Sequence, residues 1–239
     1  GGDAIWGGEG DDVLNGEAGS DTIRGGPGDD EIDGGDDSDI LYGENGDDTV
    51  NGGDDGDEIL GGAGADQLEG DGGPDVIWGG VAADIIWGGG ASDILLGNDG
   101  ADTIFGEDDS SATGQPLQGD LIHGNGGDDL VRGGSHSDLI CGGSGADSLY
   151  GDELSGGTDG SDYLVGGAGD DLLTGQGDDD LDPSVESDLG YPGTDSGDTL
   201  FGATLASGST SPTDTELDEY CDIDDPDSPF YDYGVEGGR

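Results

Sequence analysis

GGEGDDVLN (7–15), GEAGSDTIR (16–24) and GGPGDDEID (25–33) set the reading of the whole chain. Each nonamer opens on glycine, carries aspartate at its sixth place and ends on an aliphatic residue between two others. The phase persists through GENGDDTVN (43–51), GGAGADQLE (61–69), GNGGDDLVR (124–132), GGSGADSLY (142–150) and GGAGDDLLT (166–174). Aspartates keep it at Asp3, Asp12, Asp21, Asp30, Asp39, Asp48, Asp57, Asp66, Asp75, Asp84, Asp93 and Asp102. It continues at Asp120, Asp129, Asp138 and Asp147, then Asp162, Asp171 and Asp180, and last at Asp198. Two residues after each aspartate of the first run stands Ile5, Leu14, Ile23 or an equivalent aliphatic. A fixed nine-residue period is the mark of a repeat architecture.

One unit has a direct physical meaning. Gly, Asp, Asn and Ser crowd its first six places and tolerate tight turns. Its last three form a short strand whose middle side chain points inward. So small a strand cannot stand alone, and successive units must stack and share a core. Alternating turns and strands predict a coil of two short parallel sheets with eighteen residues per turn. Roughly ten or eleven turns spaced by about 4.8 Å make a rod on the order of 50 Å long.

The charge demands a counterpart. There are 60 acidic residues against three arginines and no lysine, and the formal net charge is −57. Columns of aspartate would repel one another unless divalent cations with oxygen ligands lie between them. Calcium suits irregular shells of carboxylates and backbone carbonyls, whereas magnesium demands near-ideal octahedra. Hydrophobic content is 29%, so the expected fold is conditional: expanded without calcium, formed with it.

The nonamers resemble the glycine- and aspartate-rich hemolysin-type RTX repeat, GGxGxDx-aliphatic-x, over residues 1–181, and a degraded unit, GTDSGDTLF (193–201), extends the likeness. The resemblance implies an all-β, right-handed parallel β-roll, several Ca2+ ions between turns, and secretion. It also assigns the metal-ligand role to the in-phase aspartates named above, Asp3 through Asp198. Fourth-place glycine is replaced by Asp37, Asp55, Ala82, Ala91, His136 and Asp178, where weaker sites are expected.

Two interruptions break the ruler. Residues 107–118 have lost the glycine pattern and read as a loop or a degenerate coil, and 152–160 hold about six extra residues. Asp182 takes the aliphatic place after Asp180, with Pro183 behind it. The division is therefore a roll over 1–181, a degenerate terminal repeat over 182–202, and an acidic, aromatic tail over 203–239.

Outward positions eighteen apart share a face. The first face carries Trp6, Arg24, Tyr42, Leu60, Trp78 and Leu96, flanked by Ile40, Val76 and Ile94. The second begins polar with Asn15, Asp33, Asn51 and Glu69, then turns apolar with Ile85, Trp87, Phe105, Leu121, Leu139 and Cys141. Contiguous apolar surface marks an interface, although aromatic and β-branched residues also favour strands on either face. Tyr42, Trp78, Leu96, Trp87 and Phe105, together with the open roll ends, are the expected contacts of a homo-oligomer or filament. A Cys141–Cys221 disulfide would pin the tail on the second face; two free or intermolecular thiols are the other reading.

No enzyme emerges. His123 faces out of a strand and His136 replaces a turn glycine, so both read as solvated. Neither belongs to a zinc-protease helix or a triad. The sign of the charge excludes nucleic acid as a partner, and no apolar run is long enough for a membrane span. Gly1 opens in mid-repeat and methionine is absent, which reads as a processed product or a segment of a larger chain. The expected function is a secreted, extracellular calcium-binding structural roll that self-assembles or contacts a surface or matrix. The alternative is the C-terminal folding and secretion module of a larger enzyme or toxin. An ice or mineral binder would want regular threonine rows, which are missing.

Overall fold

A computed structural model of the chain describes residues 1–107, 119–151, 162–174, 180–182, 199–201 and Cys221. Among the described residues twenty strands form two parallel ten-stranded sheets, and consecutive strands alternate between them. Sheet A holds β1 (Ala4–Trp6), β3 (Thr22–Pro27), β5 (Ile40–Asn45), β7 (Glu58–Ala63), β9 (Val76–Val81), β11 (Ile94–Asp99), β13 (Leu121–Gly126), β15 (Leu139–Ser144), β17 (Tyr163–Ala168) and β19 (Asp180–Asp182). Sheet B holds β2 (Val13–Asn15), β4 (Glu31–Asp36), β6 (Thr49–Asp54), β8 (Gln67–Gly72), β10 (Ile85–Gly89), β12 (Thr103–Glu107), β14 (Leu130–Arg132), β16 (Ser148–Tyr150), β18 (Leu172–Thr174) and β20 (Thr199–Phe201). The chain is a β-solenoid of the expected class.

Inside, the eighth residue of each unit meets its equivalents above and below. Ile23, Leu41, Ile59, Ile77 and Leu95 stack on one side, with Ile32, Val50, Leu68, Ile86 and Ile104 opposite; all are at most 1% exposed. The core is one thin ladder running through Leu173. Most strands are six residues rather than the three expected, because they run on into the glycines that open the next unit. Pairing of Glu44 with Gly62 and Asn45 with Ala63 shows the turn itself joining the parallel ladder.

Second and fourth places of a unit adopt the left-handed region. Fourth-place Asp37, Asp55, Ala82, Ala91 and His136 all have positive φ, as do second-place Glu17, Glu44, Asp71, Asn98 and Asn125. Losing glycine therefore leaves the turn in place and strains the backbone instead. Asp178 lies outside the described residues. Ala91 carries the largest departure, at φ 127°, a region costing on the order of 1–3 kcal/mol for a non-glycine residue. Ala91→Gly is expected to raise stability by about 1 kcal/mol, read as a higher urea midpoint in saturating calcium.

Three expectations about phase need correction. Leu95 pairs with Ile122 and Ile104 with Val131, each 27 residues on rather than 18. The stretch after β12 is thus a nine-residue insertion and not a degenerate coil. Leu121, Leu139 and Cys141 consequently sit on sheet A beside Trp78 and Leu96, not on the second face. Further on, Leu139 pairs with Tyr163, 24 residues away, in keeping with six extra residues before Asp162. Near the end, Leu181 and not Asp182 pairs with Leu164, while Asp180 pairs with Tyr163. Asp180 therefore stands one place beyond the aspartate column. Asp198 and the tail other than Cys221 lie outside the described residues.

Sheet A's outer face is covered from its middle onward. Its ninth-place residues change from exposed or half-buried (Trp6, Arg24, Tyr42, Leu60) to buried at Trp78, Leu96, His123, Cys141 and Val165. This corrects two expectations: Trp78 and Leu96 are not exposed contacts, and His123, 5% exposed, is not solvated. Cys221 packs against this cluster and is disulfide-bonded to Cys141, with the Cα atoms 5.9 Å apart. Cys221 is therefore held on the first face, not the second.

Candidate metal centre

Each sixth-place aspartate starts as the residue that turns the chain into a strand, and the coil carries it inward. Asp21, Asp39, Asp57, Asp75 and Asp93 rise in one column, continued by Asp120, Asp138 and Asp162. Asp12, Asp30, Asp48, Asp66, Asp84 and Asp102 rise in the other, continued by Asp129, Asp147 and Asp171. From Asp21 to Asp171 the described members are no more than 3% exposed. Asp3, in the first coil, is exposed.

One carboxylate oxygen is fully occupied by the fold. The backbone N–H of Asp39 donates to Oδ1 of Asp57 at 2.8 Å, that of Asp57 to Oδ1 of Asp75 at 2.7 Å, and that of Asp75 to Oδ1 of Asp93 at 2.9 Å. The same bond climbs the other column from Asp48 to Asp66 and from Asp66 to Asp84. It also spans both interruptions, from Asp102 to Asp129 and from Asp138 to Asp162. Each aspartate thus ties its coil to the preceding one.

The other oxygen is buried without a hydrogen bond. Oδ2 of Asp21, Asp30, Asp39, Asp48, Asp57, Asp66, Asp75 and Asp84 has no donor, and neither has that of Asp102, Asp129 or Asp147. Burying a carboxylate oxygen unpaired is strongly unfavourable, so a repeated set of them asks for a cation. The surroundings agree. A methyl group on Gly79 would lie 2.6 Å from Oδ2 of Asp84 and 2.6 Å from the carbonyl oxygen of Gly97. At Gly61 the corresponding distances are 2.5 Å to Asp66 Oδ2 and 2.6 Å to the Gly79 carbonyl. Carboxylate and carbonyl oxygens therefore converge where glycine leaves out a side chain, a donor set of hard oxygens that fits calcium. Among the described residues no three His, Cys, Asp or Glu side chains converge on one point. A cation here must draw on backbone carbonyls as well as the aspartates. Gly79→Ala is expected to destabilise the calcium-loaded chain by about 1–3 kcal/mol, measured as a lower urea midpoint.

Without a cation the columns are hard to ionise. Burial pushes the carboxyls up, the backbone N–H bond opposes it, and neighbouring aspartates push further: Asp57, Asp84 and Asp147 rise to about 7 and Asp75 to about 8. Asp48, Asp66, Asp102 and Asp129 rise to about 6 for the same leading reason. Asp39 is raised as well.

A second acidic row was not anticipated. Fifth-place Asp11, Asp29 and Asp47 accept backbone N–H bonds from the following coil at Asp29, Asp47 and Ala65, in the opposite sense to the inner columns. These bonds are exposed, and their recurrence at eighteen residues in GGxGDD units was the available signal.

Among the described residues no helix is long and apolar enough to cross a membrane. Comparison with curated proteins yields no match. The profile of the RTX calcium-binding nonapeptide repeat matches residues 1–32, 24–59, 60–95, 87–110, 118–149 and 156–181. Repeats of this kind are calcium-binding and structural rather than catalytic. On the repeat, the coil and the matched extent together, the chain belongs to the RTX calcium-binding nonapeptide repeat family.

Proposed function

We propose that the protein is a secreted structural rod that folds on calcium outside the cell and then associates with copies of itself. The observation that carries it is the pair of buried aspartate columns in a chain of net charge −57. Near neutral pH such columns favour the coil where divalent cations are abundant, which suits extracellular calcium, and repeats of this family are typical of secreted proteins. Ions at Asp12 through Asp171 would neutralise the columns as the coils close.

Self-association is supported by sheet B. Trp87 and Phe105 stack with centroids 6.1 Å apart, and Arg132 lies 5.9 Å from the Phe105 ring and 5.4 Å from Tyr150. Beside this column Ile85 is 36% exposed, so this apolar strip lacks the burial that the middle of sheet A's outer face has. Calcium titration of chelated chain, followed by far-UV circular dichroism and sedimentation, tests both halves. The expected course is expanded chain to β-rich species, then association that rises with concentration and is lost in Ile85→Lys. A calcium-folded chain that stays monomeric at every concentration overturns the assembly and favours a module of a larger secreted protein. Absence of any dichroism response overturns the calcium reading.

A further inference from the structure

We infer that the Cys141–Cys221 bond is a lock written by calcium: the two thiols are held together on the assembled roll, where the outer face of sheet A receives Cys221. The inference rests on calcium-dependent folding. Outward residues of a two-sheet coil ordinarily meet water, as Trp6 does at 67% exposure. On five neighbouring strands of sheet A they do not: Trp78 is 5%, Leu96 0%, His123 5%, Cys141 1% and Val165 1% exposed. No single strand makes that surface. It exists only when β9, β11, β13, β15 and β17 lie side by side, which requires the aspartate columns beneath the turns to be neutralised.

Two contacts fix the occupant. Cys221 packs on the Trp78–Leu96–Cys141 cluster. Its carbonyl oxygen lies 3.0 Å from Nε2 of His123, while the backbone N–H of Asn125 donates to Nδ1 at 2.9 Å. Because Nδ1 accepts, Nε2 carries the proton and donates to Cys221. The imidazole is thereby a neutral clamp between strand and tail. The partners are 80 residues apart in sequence, so in an expanded chain they meet rarely, whereas on the roll they are held in place.

Closing the lock is a two-electron oxidation. The two thiols lose two protons and two electrons to a small disulfide such as oxidised glutathione, which leaves as two thiols, and one sulfur–sulfur bond forms within the chain. Once closed, the bond holds Cys221 on the face and lowers the calcium needed to keep the coils.

The test is to equilibrate reduced full-length chain in glutathione redox buffers with calcium or with chelator. Free thiols are then counted by alkylation and mass, with circular dichroism on the same samples. The effective concentration of the thiol pair is expected to be at least tenfold higher in calcium. Leu96→Asp, on the outer face, is expected to keep the calcium-induced dichroism and lose that rise. Equal pairing with and without calcium, in a chain whose dichroism does respond, overturns the lock and leaves the proposed function standing. A Leu96→Asp chain that folds and pairs like wild type overturns the docking face. A chain whose dichroism ignores calcium overturns the proposed function first, and the lock with it.

Discussion

Metal-free chain is expected to gain β structure when the pH falls from 8 to 5, without any calcium. The sign follows from the aspartate columns. Asp57, Asp84 and Asp147 titrate at about 7 and Asp75 at about 8 in the fold, against an ordinary 3.8. A carboxyl raised in the folded state binds more protons there than in the expanded chain. Stability therefore falls as pH rises from about 4 through 8, and is recovered on acidification. Each unit of pKa corresponds to about 1.4 kcal/mol. Eight carboxyls raised to about 6 or above in the fold all push in the same direction between pH 8 and pH 5, so the effect falls on the whole solenoid rather than on one site. Protons do at pH 5 what calcium does at pH 8: they remove charge from buried oxygens. Circular dichroism in chelator across pH 5–8 measures it, with sedimentation to separate folding from precipitation. A coil signal unchanged to pH 5 would mean that the columns do not hold ionised aspartates apart from water. Calcium and protons should also compete, so the calcium midpoint is expected to rise as the pH is lowered.

Most of this site was legible because the period carries it. Nine-residue spacing placed Asp12 through Asp171 in columns and Ile23 through Leu173 in the ladder, since a register error would have moved every side chain to the wrong face. The same ruler was blind where it failed. Asp102 and Asp120 are eighteen residues apart, two units by count, yet the structure spends nine of them on an insertion and places Asp120 on the turn opposite to Asp102. A nonapeptide ruler cannot distinguish a skipped unit from a folded one, because sheet identity depends on the parity of units. Leu121, Leu139 and Cys141 changed face for that reason alone. At Asp180 the slip is one residue: Leu181, and not Asp182, takes the register position opposite Leu164. Burial of Leu96 and His123 was hidden for a different reason. It depends on a contact between strands and a distant tail, and the only trace in the sequence was two cysteines, one of them at an outward place.

Replacing one column aspartate by its amide is expected to move the metal-free and calcium-loaded chains in opposite directions. Asp75 is the most informative choice, since it is 1% exposed and burial pushes its carboxyl up to about 8. In Asp75→Asn the side-chain carbonyl still accepts the N–H of Asp57, so the tie between coils survives. Oδ2 becomes a neutral amide nitrogen, and the like-charge pressure from Asp57 and Asp93 disappears. Metal-free Asp75→Asn is therefore expected to fold at higher pH than wild type, with its acid midpoint up by several tenths of a pH unit. With calcium the same change deletes a charged ligand, and the calcium midpoint is expected to rise about 3- to 10-fold, a loss on the order of 1 kcal/mol. Asp11→Asn supplies the control. Its carboxylate is exposed on the outer row and its Oδ1 bond from the Asp29 N–H is retained by the amide, so both midpoints should stay near wild type. The opposition of signs is what separates ligand from scaffold. A structural aspartate held only by the Asp57 N–H would be helped or harmed alike in both states, and an Asp75→Asn chain that moved the same way with and without calcium would remove Asp75 from the set of ligands.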